Sequence, residues 1–372
     1  MKGSVRRMNR IVISGYYGFN NIGDESILKA VVDNLKERIA DIEITVLSQN
    51  PASTAEKYNV RSVDRKSPGA IISAIRSSDL VISGGGSLLQ DVSSKRSIIY
   101  YLAIMWIAMF FRKKIFIYSQ GIGPIIAKVN RMLTAATLKR VDGIVVRDEA
   151  SKELLVEIGL NADDIYVTAD PVLRIKPADL ETGRRILEKE GFVKEEGRIT
   201  VGWAIRERRT ESGFVDEVCD AIKSLEAKYN ARNVLIPFHY SEDMAVIQRI
   251  KERLGDNVTC IEHKYLTDEM LSIIGNMDIL VGVRLHSIIH AAIMGVPMIA
   301  ISYDPKINSF MHSIDMKAMC SVYDFKSEFF MEEFDKTLEN ADRIKTKVRY
   351  EIEDLIDRLN KNEELIRQLL QD

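Results

Sequence analysis

The chain has 372 residues, 46% of them hydrophobic, which is enough to bury the cores of two domains and excludes a disordered or fibrous protein. Its 52 Lys and Arg residues against 54 Asp and Glu leave a net charge of −2, so no overall attraction to nucleic acid is expected. The 3 cysteines are widely spaced and lack a C-x-x-C pair, which excludes a disulfide framework and a cysteine zinc site and suits a reducing cytoplasm.

Short apolar runs alternate with longer helical segments along the whole chain. Such runs are typical of strands covered on both faces, so the alternation predicts parallel α/β sheets with right-handed crossovers. The predicted strands are 10–14, 43–47, 80–83, 114–118, 143–146, 165–167, 199–204, 233–237, 258–261, 279–281 and 298–302. The predicted helices include 25–38, 70–75, 129–139, 151–158, 214–228 and 242–254.

The order of these elements occurs twice. Residues 79–89, DLVISGGGSLL, resemble residues 278–289, DILVGVRLHSII. We therefore predict two Rossmann-like open-sheet domains facing a central cleft, with ligands at the carboxyl ends of the strands. The domain bounds that we predict are 1–175 for the first domain, 176–341 for the second domain and 342–372 for a charged helical tail.

The longest apolar run covers residues 98–111. As a helix it would rise ~21 Å, which is less than the ~30 Å of a bilayer core, so we predict a helix buried on a sheet. Lys95-Arg96 before the run and Arg112-Lys113-Lys114 after it support an alternative, peripheral contact of residues 95–114 with the inner face of the plasma membrane. The basic start of the chain leads into three apolar residues only, too few for a signal peptide.

Glycine-rich segments follow the strands of the first half. SGYYGFNNIGDES holds Asn21 and Asp24, and Asp24 is either a helix N-cap or a base acting on a bound hydroxyl. Three consecutive glycines indicate a tight turn or a backbone contact with a ligand. The spacing matches neither G-x-G-x-x-G nor a Walker loop, so no nucleotide fingerprint is present. The candidate substrate loops also contain Gly84, Gly85, Gly86, Gln90 and Gln120.

Cations follow several other strands. Arg147 either enters the site or forms an ion pair with Asp148 or Glu149. In the second half, three strand ends carry Arg206, then Arg284 with His286, and then Lys306. A single arginine is more often in a solvated ion pair, but together these groups favour binding of a phosphate or carboxylate.

A metal site is not expected. His286 and His290 are four residues apart, but no third ligand or H-E-x-x-H motif accompanies them.

Eight motifs occur in order, namely GYYGFNNIGDE, SGGGSLLQD, SQGIGP, VVRDEAS, DP, WAIR, GVRLHS and YDPK. Together they resemble the polysaccharide pyruvyl transferase family over residues 11–325, and most closely its CsaB-type members of S-layer anchoring. The resemblance implies a GT-B-like arrangement of the two domains and phosphoenolpyruvate as donor, with no cofactor. It also implies a lipid-linked precursor of a secondary cell-wall polymer as acceptor, with N-acetylmannosamine as its pyruvylated sugar.

The resemblance implies roles for the candidate residues. Arg206, Arg284 and Lys306 would hold the donor, and Arg147 would steady the acceptor. His286 is the candidate general acid, because the pKa of histidine lies near working pH, and Asp24 is the candidate base or orienting group.

Two other functions stay open at this point. One is a GT-B-type glycosyltransferase that uses a nucleotide sugar, and the other is a non-catalytic anion-binding protein docked at the membrane through residues 98–111.

Overall fold

The computed structural model of the chain describes residues 8–92, 97–206 and 213–371, so the predicted basic pair Lys95-Arg96 lies outside the described residues. The strands are β1 (Asn9–Ser14), β2 (Ile42–Ser48), β3 (Arg61–Asp64), β4 (Leu80–Ser83), β5 (Lys114–Gln120), β6 (Gly143–Val146), β7 (Ile165–Val167), β8 (Thr200–Ala204), β9 (Arg232–Leu235), β10 (Val258–Cys260), β11 (Ile279–Gly282), β12 (Met298–Ser302) and β13 (Cys320–Ser321). The α-helices are α1 (Ile22–Arg38), α2 (Pro51–Tyr58), α3 (Pro68–Ser77), α4 (Ser97–Phe110), α5 (Lys128–Leu138), α6 (Glu149–Glu157), α7 (Leu180–Lys189), α8 (Phe214–Tyr229), α9 (Tyr240–Leu254), α10 (Thr267–Gly275), α11 (Leu285–Met294), α12 (Pro305–Ser313), α13 (Ser327–Glu339), α14 (Ala341–Arg358) and α15 (Asn360–Gln371).

The described chain divides into two compact units, each with its own parallel sheet. The first unit comprises the described parts of 8–19, Asp24–Arg174 and 355–371, with strand order β3-β2-β1-β4-β5-β6-β7. The second comprises Asn20–Gly23 and Ile175–Asp354, with strand order β10-β9-β8-β11-β12-β13. Numbered within each unit, both sheets begin 3-2-1-4-5-6, the order of a Rossmann fold. This confirms the predicted fold class of two Rossmann-like α/β units.

The common topology also accounts for the internal similarity of the sequence. The two similar segments carry β4 and β11, which are the fourth strand of their respective sheets. Each of these strands is buried along its whole length, because helices cover both faces of the sheet. The strongest sequence likeness therefore lies at equivalent positions, at the centre of each unit.

The predicted strands agree with the structure best where the run of apolar residues is unbroken. The bounds of β4, β6, β7 and β12 are those predicted. Two strands are absent from the prediction, β3 and β13, and both lie at the edge of a sheet. Edge strands have a weaker apolar pattern, and β3 reads R-S-V-D with exposed ends.

The predicted buried helix is confirmed as α4. Its apolar side chains pack into the core of the first unit, namely Ile98, Tyr101, Leu102, Ile104, Met105 and Ala108. Trp106 and Phe110 remain exposed. Among the described residues, no helix combines the length and the apolar character needed to cross a membrane.

Two predicted positions are wrong. Helix α1 begins at Ile22, three residues earlier than predicted, because the Asn21 side chain accepts a hydrogen bond from Gly23 N at 3.1 Å. Asp24 therefore lies inside the first turn and is not an N-cap. Gln120 is the last residue of β5 and not the first residue of a loop. A register shift in the ladder and a φ of +40° at Ser119 mark a bulge just before Gln120.

The predicted C-terminal tail consists of two helices, α14 and α15, that meet at the buried Leu359. In α15 the carboxylate of Glu363 is buried and accepts hydrogen bonds from Tyr118 Oη at 2.5 Å and Arg174 Nη1 at 2.6 Å. Burial, followed by the charge of Glu363, raises the pKa of Tyr118 well above its usual value. Through these contacts α15 is part of the first unit.

Candidate functional site

In the first unit, the glycine segment after β4 is held between the ends of two other strands. Gly84 N donates to Ser14 O at 2.8 Å, and Gly121 N donates to Gly86 O at 2.8 Å. A Cβ atom at Gly84 would lie 2.2 Å from Tyr17 Oη. The glycine therefore leaves room for the Tyr17 ring at the carboxyl edge of the sheet. We call Tyr17, Asp24, Gln120 and residues 84–86 the glycine-loop site.

Polar groups meet in this glycine-loop site. A Cβ atom at Gly86 would lie 3.2 Å from Asp24 Oδ1, and Gln120 Oε1 accepts from Ser83 Oγ at 3.4 Å. Among the described residues, none is hydrogen-bonded to Tyr17 Oη or to Gln120 Nε2, although both atoms are buried. A buried polar atom of this kind costs about 1–3 kcal/mol when it is left without a hydrogen bond.

Tyr17 belongs to a predicted motif, but the prediction used only the glycines, Asn21 and Asp24 of that motif. Burial, and then the negative charge of Asp24, raise the pKa of Tyr17 well above 10.0. The phenol is therefore neutral and able to donate a hydrogen bond.

Arg147 lies at the end of β6 and is buried beside the same edge of the sheet. Its Nη1 lies 3.0 Å from Asp170 Oδ2, its Nε lies 3.3 Å from Asp148 Oδ2, and Nη2 donates to Ser87 Oγ at 3.3 Å. Burial lowers the pKa of Arg147, but the negative charges of Asp170 and Asp148 have the larger effect, so the pKa is raised. The predicted pair with Asp148 is present. The second partner, Asp170 of the DP motif, was not predicted.

The remaining predicted loop residues of the first unit have local structural contacts. Gln90 Oε1 accepts from Val92 N at 2.9 Å in a turn. A Cβ atom at Gly85 would lie 2.8 Å from Ile27 Cγ2, so this glycine allows close packing against α1.

Sequence reasoning missed Arg65, which follows the unpredicted β3. Its guanidinium lies 4.5 Å from the ring centre of Tyr100 and 5.1 Å from that of Phe19. Its Nη1 donates to Gly15 O at 3.1 Å. Arg65 therefore fixes the backbone of the first glycine-rich segment beside the aromatic residues of that segment.

In the second unit, two acidic residues of α9 surround Arg284. Arg284 Nη2 donates to Glu242 Oε2 at 3.0 Å and to Asp243 Oδ1. Asp243 is buried and also accepts from His239 N at 2.8 Å. Burial opposes the charge of Arg284, but Asp243 raises its pKa. None of the described residues is hydrogen-bonded to the buried Arg284 Nε.

Arg206 lies at the same carboxylate. Its Nη2 is 3.6 Å from Glu242 Oε2, and its Nη1 donates to Tyr303 Oη at 2.8 Å. The structure thus brings together Arg206 and Arg284, the two arginines predicted to hold a donor. The hydrogen bond from His239, followed by that from Arg284, lowers the pKa of Glu242 to about 2, although burial opposes the shift. We call Arg206, Glu242, Asp243, Arg284 and Tyr303 the arginine site.

The acidic members of the arginine site were not predicted. Glu242 and Asp243 follow β9, so the rule that ligands meet the carboxyl ends of strands would have found them if it had been applied to that strand. His239, which directly precedes α9, was not among the predicted site residues.

His286 belongs to the second unit and lies against the segment Asn20–Gly23 of the same unit. A Cβ atom at Gly23 would be 2.3 Å from His286 Nδ1. Asn21 forms a β-bridge with His239, and Ile22 N donates to Phe238 O at 2.8 Å, so this segment is tied to the loop before α9.

The other predicted residues of the second unit lie nearby in the fold. Lys306 is in the first turn of α12, with Nζ 3.6 Å from Asp304 Oδ2. His290 is buried in α11, with its ring 5.4 Å from that of Phe238. Within the described part of the chain, no three His, Cys, Asp or Glu side chains are grouped so that they could hold a metal ion.

Comparison with known proteins places these sites in context. The family profile described as polysaccharide pyruvyl transferase matches residues 21–305. The amylovoran biosynthesis protein AmsJ of Erwinia amylovora is 20% identical over 408 residues, covering 92% of this chain and 95% of AmsJ.

Two solved structures share the fold. A Listeria monocytogenes protein described as a UDP-N-acetylglucosamine 2-epimerase has a TM-score of 0.71 and 13% identity, covering 98% of this chain and 97% of that one. The S. aureus MnaA structure with UDP has a TM-score of 0.68 and 12% identity, covering 98% of both chains. At these identities the likeness establishes a GT-B-like fold and carries no information on the ligand.

Proposed function

The chain belongs to the polysaccharide pyruvyl transferase family, and from this premise we propose that it transfers pyruvate from phosphoenolpyruvate to a polysaccharide precursor as a cyclic ketal. In the finer form of the proposal it is a CsaB-type enzyme. Its acceptor is then an N-acetylmannosamine unit of a lipid-linked secondary cell-wall polymer precursor, at the inner face of the plasma membrane.

The observation that carries the proposal is the arginine site. Arg206 and Arg284 approach the same oxygen of Glu242, at 3.6 and 3.0 Å, and Asp243 anchors Arg284 from the buried side. Phosphoenolpyruvate carries a phosphate and a carboxylate, and fixed guanidinium groups are suited to both. The donor binds here in place of part of the contact with Glu242, and Lys306 assists.

The reaction needs protonation of the donor, addition of one hydroxyl and displacement of phosphate by a second hydroxyl. His286 protonates the methylene carbon of the donor, so that C3 becomes a methyl group and C2 an electrophile. The first acceptor hydroxyl bonds to C2 and loses its proton, which restores His286. The second hydroxyl then bonds to C2, the bond from C2 to the phosphate oxygen breaks, and the second proton leaves with inorganic phosphate. Asp24 orients the acceptor hydroxyls, and Arg147 steadies the acceptor.

The reaction is tested by incubating the purified chain with phosphoenolpyruvate and a synthetic lipid-linked disaccharide that contains N-acetylmannosamine. Mass spectrometry should show a gain equal to pyruvic acid less water, and phosphate release should require both substrates. Thermal protection by UDP or GDP in place of phosphoenolpyruvate would favour a nucleotide-sugar glycosyltransferase. Donor binding without phosphate release on any glycan acceptor would favour a non-catalytic anion-binding protein.

The role of His286 is tested separately with His286→Ala. Turnover should fall by ~10²–10⁴-fold, which is the usual contribution of general acid–base catalysis. Calorimetry should show donor affinity close to that of the unmodified chain, and the thermal midpoint should be retained. The matched control is His312→Ala, which removes an exposed imidazole from α12 of the same unit and should leave turnover unchanged. Near-normal turnover of His286→Ala would refute the catalytic role.

A further inference from the structure

One stretch of the chain has a charge composition unlike the whole. Between Asp91 and Asp142 there are 9 Lys and Arg residues and no Asp or Glu, whereas the complete chain has a net charge of −2. The described part of this stretch builds α4, β5 and α5 of the first unit. A positive stretch of 50 residues inside a nearly neutral chain produces a local positive surface.

Large apolar side chains are exposed on the same two helices and on the turn before α5. Phe110 is 80% exposed, Ile126 72% and Met132 71%, and these values are unusual for large apolar residues of a packed domain. Val129 and Met132 are one helical turn apart, so they share a face of α5. We call these exposed residues, together with Trp106, the α4–α5 face; its members are Trp106, Phe110, Ile126, Val129 and Met132.

Specific contacts hold this face in place. Trp106 Nε1 donates to Thr137 Oγ1 at 2.8 Å, which ties α4 to α5. The buried carboxylate of Asp91 accepts from Ile126 N at 2.7 Å, from Ala127 N at 2.9 Å and from Asn130 Nδ2 at 2.9 Å. Asp91 therefore fixes the turn that presents Ile126 and Val129 outward. The exposed apolar side chains sit on an ordered support.

The cations beside the face are available to an external anion. Lys128, Lys139 and Arg140 are exposed, and no ion pair joins any of them to a carboxylate of the described residues. Two other cations of the stretch are partnered, since Arg131 lies 2.6 Å from Glu157 and Lys114 lies 3.8 Å from Asp142.

We propose that the α4–α5 face docks the protein on an anionic lipid bilayer, with its apolar side chains in the interfacial region and its cations against lipid phosphates. Peripheral membrane binding combines these two features, and tryptophan with lysine and arginine is typical of the interface. Nucleic acid would use the cations but would leave Phe110, Ile126 and Met132 in water. A second copy of the chain would bring like charges together. The proposal rests on the surface alone and does not depend on the proposed function.

The test is flotation of the full chain with vesicles of phosphatidylglycerol and phosphatidylcholine, compared with vesicles of phosphatidylcholine alone. The chain should float with the anionic vesicles and be released by salt. The triple variant Ile126→Ser, Val129→Ser, Met132→Ser should bind at least about tenfold more weakly, because each change removes buried apolar surface from the bound state. A second variant, with Lys128, Lys139 and Arg140 each changed to Gln, should also bind about tenfold more weakly and lose most of its response to salt.

The matched control changes three exposed apolar residues of the second unit, Val193→Ser, Phe329→Ser and Tyr350→Ser, and should bind as the unmodified chain does. All substituted side chains are exposed, so thermal midpoints should stay close together, and the glutamine variant carries the test if the serine variant proves unstable. Equal flotation of the serine variant and the unmodified chain would overturn the proposal. The proposal would also be overturned if the chain did not float but bound a nucleic acid duplex in a salt-sensitive way. It would equally be overturned if the chain did not float and formed a dimer that the serine variant does not form.

Discussion

Each unit holds an arginine between two carboxylates, but the two arrangements differ in their access to solvent. Around Arg147, the side chains of Arg147 and Asp170 are only 5% and 4% exposed. Around Arg284, the partner Asp243 is buried, whereas the Glu242 side chain is 48% exposed. The most exposed carboxylate of the first arrangement, Asp148, is only 19% exposed, whereas the second arrangement has a carboxylate that is nearly half-exposed.

Because of this difference, we interpret the charge pair at Arg147 as structural and the pair at Arg284 as one in which a ligand anion can replace a carboxylate. Removing Asp170 would leave the buried Arg147 with Asp148 as its remaining carboxylate partner, and breaking a buried pair in this way costs several kcal/mol. Glu242 can move into water at small cost and leave its place to a ligand anion, while Asp243 keeps Arg284 fixed. We therefore expect substitutions at Arg147 to lower stability in addition to their effect on the acceptor. Substitutions at Arg284 should weaken donor binding in addition to the stability lost with the buried Asp243 pair.

The largest expected effect is on stability. Arg147→Ala should lower the free energy of unfolding by about 3–5 kcal/mol, because it breaks the buried ion pair between Arg147 and Asp170. The measurement is urea denaturation. Arg131→Ala is the control, since its pair with Glu157 is 36% and 61% exposed and should be worth no more than about 1 kcal/mol. If the free energy lost at Arg147 were no larger than that lost at Arg131, Arg147 would not be in a structural charge pair.

The next effect is on donor affinity. Arg284→Ala should weaken phosphoenolpyruvate binding by about 1.5–3 kcal/mol, the scale of a hydrogen bond to a charged group, and Arg206→Ala should act in the same direction. Isothermal titration calorimetry gives both values. Arg232→Ala, which removes a surface arginine paired with Glu195 in the same unit, is the control. An unchanged dissociation constant for both site variants would place the donor elsewhere.

The third prediction tests whether turnover depends on the position of the His286 imidazole as well as on its presence. Gly23→Ala would put a Cβ atom 2.3 Å from His286 Nδ1, so the imidazole must rotate away. We expect turnover to fall roughly tenfold to hundredfold with little change in thermal midpoint, since a displaced catalytic group loses its alignment. Gly69→Ala is the control, because nothing lies within 4 Å of its Cβ position. Full turnover of Gly23→Ala would show that the reaction tolerates this displacement.

The smallest effect is a pH dependence at Glu242. Its pKa falls from 4.5 to about 2 in the folded protein, so the carboxylate stabilises the fold above about pH 4.5 and this contribution is lost as the pH falls toward 2. Because the side chain is half-exposed, the contribution should be only about 1 kcal/mol. Urea denaturation at about pH 6 and about pH 3 should therefore show a smaller acid loss for Glu242→Gln than for the unmodified chain. The exposed Glu252→Gln on the same helix is the control, and equal acid losses in all three proteins would contradict the prediction.

The sequence was sufficient for eleven of the thirteen described strands and for some of the residues that follow them. Consecutive apolar residues identify β4 and β12 with their full bounds, and the residues just after strands include Arg206 and Arg284. Both features depend on short-range pattern, namely burial on two faces and a change of composition at the end of a strand.

The partners of these residues were not predictable in the same way. Asp170 lies 23 residues from Arg147 in the sequence, and Asp243 lies 41 residues from Arg284. Each contact depends on the order of strands in a sheet, which no local pattern records. Arg65 was missed for a related reason, because it follows an edge strand whose polar sequence gives almost no periodic signal.

The place of α15 in the sequence bears on how the chain is made. The ribosome synthesises all of the second unit before it reaches Glu363. The Glu363 carboxylate accepts hydrogen bonds from the Tyr118 hydroxyl and the Arg174 guanidinium. Domains generally fold during translation in the order in which they emerge, but here the first unit lacks α15 until the second unit has been synthesised. Until then Tyr118 and Arg174 are without the carboxylate of Glu363, and the nascent first unit is less stable. Synthesis of the first unit therefore begins before that of the second unit and is completed after it.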